Sequence, residues 1–89
     1  MIETKVMTQE QMMEALRAKG VDVIGTTGQF GIGEGGIWVS GESTTNLFNY
    51  WSEAWYNTFG VQPKLNQFVE DNGWYFEWYD AGTMMVYPQ

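Results

Sequence analysis

Apolar and polar positions alternate most cleanly near the C-terminal end, where Trp74, Phe76 and Trp78 are separated by Tyr75, Glu77 and Tyr79. Alternation in aromatic and β-branched residues predicts a β-strand with two unlike faces. A second run, Thr83-Met84-Met85-Val86-Tyr87, follows Asp80-Ala81-Gly82, which can close a tight turn with Gly82 in the left-handed region. The pair predicts a β-hairpin in which Tyr79 faces Thr83, Trp78 faces Met84, Glu77 faces Met85, Phe76 faces Val86 and Tyr75 faces Tyr87. One face, with Trp74, Phe76, Trp78, Met84 and Val86, is wholly apolar and belongs in a core. The other carries Tyr75, Glu77, Tyr79, Thr83, Met85 and Tyr87. Tyrosine hydroxyls and a carboxylate resist full burial, and Tyr and Met are enriched at interfaces. Tyr75, Glu77, Tyr79, Met85 and Tyr87 are therefore the candidate binding residues.

Earlier segments change period. Residues 2–6 alternate and read as a short strand with Glu3 and Lys5 outward, a pattern suited to a sheet edge. Thr8-Gln9-Glu10-Gln11 is a capping box, Met12, Met13, Ala15 and Leu16 form an apolar stripe, and Gly20 suits the chain exit. A helix over 8–19 follows. Met7 and Met12 stand where a hydrophobic staple would join them. Val21 to residue 26 resumes as a strand, parallel to 2–6 if the two share a sheet. Residues 25–36 hold six glycines; strands near 29–33 and 36–40 are expected, with the glycine-rich segment either a hairpin or a mobile loop. Leu47, Phe48, Trp51, Ala54, Trp55 and Phe59 recur at helical spacing after Ser43, Thr44 and Thr45, predicting a second helix over 44–59 with those residues inward. Tyr50 and Tyr56 flank that stripe. Gly60 ends it, and Pro63 opens a short third helix with Leu65, Phe68 and Val69 inward. The expected architecture is a single α+β domain spanning 1–89. It has a mainly antiparallel sheet of four to five strands, helices 8–19 and 44–59 on one face, and the C-terminal hairpin. Strand 83–87 carries no charge, so an interior place in the sheet is expected for it.

Composition narrows the chemistry. The 89 residues hold no Cys and no His, which removes thiolate catalysis and the commonest general base and metal ligand. Five Trp, five Tyr and five Phe are more aromatic surface than one small core hides. The net charge is −7, and the excess lies entirely from residue 20 onward, where Lys64 is the one basic residue against eight acids. So few cations argue against direct nucleic-acid binding and against anionic membranes. They favour a partner protein with a basic surface, approached with electrostatic steering. No apolar run is long enough to span a bilayer, and residues 1–5 lack the features of a signal peptide, so a cytoplasmic location is expected.

Motifs for chemistry are weak. Gly31-Ile32-Gly33-Glu34-Gly35-Gly36 matches G-x-G-x-x-G formally. Ile37-Trp38-Val39 follows where a dinucleotide site needs a helix N-terminus, and Glu34 would sit among the phosphates. Glu77 is the best placed carboxylate for acid–base work, yet a single strand glutamate is more often a polar surface position. Ser and Thr residues lack a histidine partner. No cofactor, metal site or catalytic residue is therefore expected. The functional expectation is a non-enzymatic, acidic protein-interaction module that occupies a basic surface of a partner, as monomer or homodimer. Size and composition are compatible with an accessory protein of a phage or other mobile element. The alternative is a small-molecule or carbohydrate binder with an aromatic platform.

Overall fold

The computed structural model describes residues 6–41 and 47–89. Helix α1 (Gln9–Ala18) is followed by strand β1 (Val23–Thr26), a single helical turn α2 (Thr27–Phe30) and strand β2 (Ile37–Ser40). A 3-10 turn over Tyr56–Thr58 precedes helix α3 (Pro63–Asp71), and strands β3 (Trp74–Asp80) and β4 (Thr83–Pro88) close the chain. The strands form one antiparallel sheet in the order β1-β2-β4-β3. The architecture is α+β, with four strands among the described residues. The strand expected over 2–6 lies outside those residues except for Val6, which belongs to no strand.

The hairpin register follows the alternation. Trp78 faces Met84, Glu77 faces Met85, Phe76 faces Val86 and Tyr75 faces Tyr87. The turn differs by one residue: Asp80, not Tyr79, faces Thr83, and a bulge separates Trp78 from Asp80. Asp80 favours this closure because its carboxylate accepts from the Gly82 amide at 2.9 Å. Strand β4 is interior, as its lack of charge requires, with β3 on one side and β2 on the other. Rows therefore run across three strands. Ile37, Val86 and Phe76 form one apolar row, and Val39, Met84 and Trp78 another. Between them, Trp38, Met85 and Glu77 project to the opposite face.

Helix α1 starts where the capping box places it. Thr8 accepts from the Gln11 amide, Gln11 reaches back to the Thr8 amide at 3.0 Å, and Gly20 takes a left-handed φ of 90° after the last turn. In α3, Gln62 caps the Leu65 amide and Pro63 occupies the first turn. Met12 and Leu16 of α1, Leu65 and Val69 of α3, and the inward residues Ile37, Val39, Trp74, Met84 and Val86 make one buried cluster. The Trp74 indole N–H donates to the Met7 carbonyl at 2.8 Å and ties the residue before the α1 cap to β3.

Two further expectations are corrected. Residues 29–33 are not a strand. Thr26 caps α2 with a second capping box through Gln29, and the chain then leaves the helix at Gly31, φ 100°. Gly36 returns it to the sheet under close quarters, since a Cβ there would stand 2.7 Å from Thr27 and 2.9 Å from Tyr87. The helix expected over 44–59 is absent throughout its described part, 47–59, where a 3-10 turn of three residues is the sole helical structure. Its proposed caps, Ser43, Thr44 and Thr45, lie outside the described residues.

Candidate functional site

The segment that replaces the expected helix is a compact lobe. Its neck is a short antiparallel pairing: the Asn49 amide donates to the Gly60 carbonyl at 2.7 Å, the Gln62 amide to the Leu47 carbonyl at 2.8 Å, and Phe48 bridges Val61. Between the two sides of the neck, residues 50–59 close on themselves in the manner of an Ω-loop. Short polar side chains take the backbone bonds that a helix would need. Asn49 Oδ1 accepts from the Trp51 amide at 3.1 Å, and Ser52 Oγ accepts from the Trp55 amide at 3.1 Å. Thr58 Oγ1 donates to the Trp55 carbonyl at 3.3 Å and also bonds the Val61 carbonyl. Asn, Ser and Thr compete with helices in this way, and the aromatic residues between them are mediocre helix formers.

The exit is sterically demanding. Phe59 sits in the left-handed region at φ 52°, the only non-glycine residue to do so among those described, and Gly60 follows at φ 82°. A Cβ on Gly60 would stand 2.3 Å from the Asn49 carbonyl oxygen, so the neck closes only around glycine there. Left-handed backbone at a bulky residue is held only where its surroundings over-determine it. Here the Trp78 indole N–H, from β3, is donated to the Phe59 carbonyl.

This arrangement turns the expected core outward. Trp51 and Phe59, expected inward, are each 79% exposed, and Tyr56 and Tyr50, which flank the expected stripe, are exposed as well, Tyr56 to 78%. Of the residues assigned to the buried stripe, Phe48 alone is fully buried, while Leu47 and Trp55 are half-buried and Ala54 is exposed. A chain of edge-to-face ring contacts leads from the core to the lobe. Phe76 meets Phe48 at 5.4 Å, Phe48 meets Trp78 at 6.3 Å, Trp78 meets Tyr50 at 5.2 Å, and Tyr50 meets Trp51 at 4.8 Å. The exposed end of that chain lines a cleft of about 510 Å³ that contains Trp51, Glu53, Tyr56, Phe59 and Trp78. A second cleft of about 290 Å³ shares Phe59 and Trp78 and adds Asn57, Asn66, Glu70 and Tyr75.

The hairpin residues singled out from the sequence share one face, but that face is partly closed. Met85 is 1% exposed and lies beneath it, in register between Trp38 and Glu77. Phe30 from α2 packs edge-on against both Trp38 and Tyr79 at 4.8 Å. Tyr75 and Tyr87 pair at 5.8 Å and are half-buried, while Glu77 and Tyr79 remain exposed. Burial, then Glu77 and then the neighbouring Tyr75 hold the Tyr87 phenol above its ordinary pKa. The face is therefore a thin second apolar layer with an open rim.

Groups for chemistry are sparse. Among the described residues no three of Asp, Glu, His or Cys gather as metal ligands, and no buried side-chain nitrogen or oxygen lacks a partner. No helix among them is long and apolar enough to cross a membrane. Comparison with protein-family models, with curated proteins and with solved structures finds no match to this chain. The lobe itself was missed by sequence reasoning because its aromatic spacing fits a helical stripe. The signal that separates the two is the set of short polar residues at 49, 52, 57 and 58, placed between the rings.

Proposed function

We propose that the protein is a non-enzymatic interaction module that seats the basic surface of a partner protein on the lobe at 50–59. The observation that carries this reading is the near-complete exposure of Trp51, Tyr56 and Phe59 on a loop whose backbone is closed by its own hydrogen bonds. Three such rings offer on the order of 10 kcal/mol of gross burial, comparable with the cost of association. A preformed backbone limits the further cost of ordering. The acid excess from residue 20 onward supplies the complementary charge.

A second reading, a small-molecule or carbohydrate binder, draws on the cleft beyond Phe59, where Asn57, Asn66 and Glu70 stand beside aromatic rings. Amides and a carboxylate next to ring faces suit sugar hydroxyls. The two readings respond differently to salt, because exposed charge pairs are screened beyond about 8 Å at physiological ionic strength. Affinity capture from host lysate with the native protein and with a Trp51→Ser, Phe59→Ser variant tests the primary reading. A partner should be retained by the native protein at low salt, released at high salt and lost by the variant. A partner held equally by both proteins would remove the lobe from the interface.

A further inference from the structure

We infer that the group the lobe receives from its partner is an arginine guanidinium, laid over the Trp51 and Tyr56 rings and bonded to Glu53. This rests on the reading of the lobe as a binding surface and names what that surface selects. Trp51, Glu53 and Tyr56 line one cleft of about 510 Å³. A partner that covers the two rings therefore also covers the carboxylate. An apolar occupant would strip water from Glu53 without replacing it, which opposes binding. The occupant must bring hydrogen-bond donors to Glu53, and a cation brings them together with the complementary charge.

Among the described residues the chain supplies none of its own there. No lysine or arginine lines the cleft. Lys19 already lies over the Phe68 ring, 4.3 Å from its centroid, and Lys64 borders a separate depression with Leu47 and Leu65. Between the two natural cations, arginine fits better. Its guanidinium is planar, weakly hydrated, stacks on aromatic faces and presents a fork that matches a carboxylate, whereas an ammonium is a compact and strongly hydrated charge. A cleft of this size admits more than one side chain, so a short arginine-bearing segment is the natural occupant.

The test uses three short peptides identical except for arginine, lysine or citrulline at the same positions; citrulline keeps the shape of arginine and loses its charge. Binding is read by titration, with the Trp51 indole N–H resonance reporting location. The arginine peptide should move the Trp51 signal and bind about tenfold more tightly than the citrulline peptide. Glu53→Gln should weaken the arginine peptide and leave the citrulline peptide unchanged, and Trp51→Ala should weaken arginine and citrulline peptides together. Equal binding of arginine and citrulline peptides, equal binding of arginine and lysine peptides, or no movement of the Trp51 signal at millimolar peptide would overturn the inference. So would a concentration-dependent dimer abolished by Trp51→Ala, which would seat a second copy on the lobe. If the captured partner depends on the lobe but the peptides show no preference for arginine, this inference fails while the interaction module stands.

Discussion

Trp51 and Trp78 touch the same tyrosine, Tyr50, yet stand in opposite environments. Trp78 is half-buried, reaches Phe48 and donates its indole N–H to the Phe59 carbonyl. Gly41 lies so close that a Cβ there would stand 2.5 Å from the Trp78 ring. Trp78→Ala should therefore cost about 3 kcal/mol. Trp51 is 79% exposed, and Trp51→Ala should change stability by less than about 0.5 kcal/mol. Denaturant unfolding of both variants measures the contrast; equal losses would place Trp51 in the core and the lobe in error. Tyr87 gives a pH signature. Its folded pKa is raised above 10.0 by burial first, then by Glu77 and Tyr75. The unfolded chain then loses this proton more readily than the folded one. The associated stability is present below pH 10 and declines as pH rises through the raised folded value. Tyr87→Phe should flatten that alkaline decline in a series of melts, and an unchanged slope would assign it to other groups.

At the scale of elements, hydrogen exchange and one glycine test the connections. Strand β4 has neighbours on both sides, so the amides of Met84, Met85 and Val86 should all exchange slowly, without the alternation of an edge strand. Gly60→Ala forces a Cβ toward the Asn49 carbonyl at a positive φ, which should cost more than about 1 kcal/mol and speed exchange of the Asn49 amide that closes the neck. The hairpin was legible in the sequence because a period of two is tied to backbone geometry, and each apolar residue on β3 has one partner on β4. Helix α1 was legible through a capping box with reciprocal bonds. The stretch at 47–59 was not, since Phe48, Trp51 and Trp55 satisfy a helical period while Asn49 and Ser52 divert its amides locally. The strand expected at 29–33 failed for a related reason: Thr26 and Gln29 build a cap for Thr27–Phe30 that glycine spacing conceals. Of the candidate site, the hairpin's tyrosine face was readable, but its partial closure by Phe30 depends on a contact distant in sequence. The exposure of Trp51 and Phe59 runs against the helical period, which places both inward, whereas Tyr56 and Tyr50 flank that stripe and are exposed.

For the whole molecule, charge and aromatic surface act together. A net charge of −7 opposes compaction by self-repulsion, so moderate salt should raise the melting temperature of the free protein while weakening its complex with a basic partner. Those opposite trends separate an electrostatic interface from a general loss of folding. The sheet divides the aromatic residues into two surfaces: the lobe on the side of Phe48 and Trp78, and the tyrosine face capped by Phe30. Which surface meets the partner is the central question. Hydroxyl-radical footprinting of the free protein and of its captured complex addresses it most directly. Protection of Trp51, Tyr56 and Phe59, with Tyr79 and Tyr87 unchanged, is the predicted result. Protection of Tyr79 and Tyr87 with the lobe still fully reactive would contradict it.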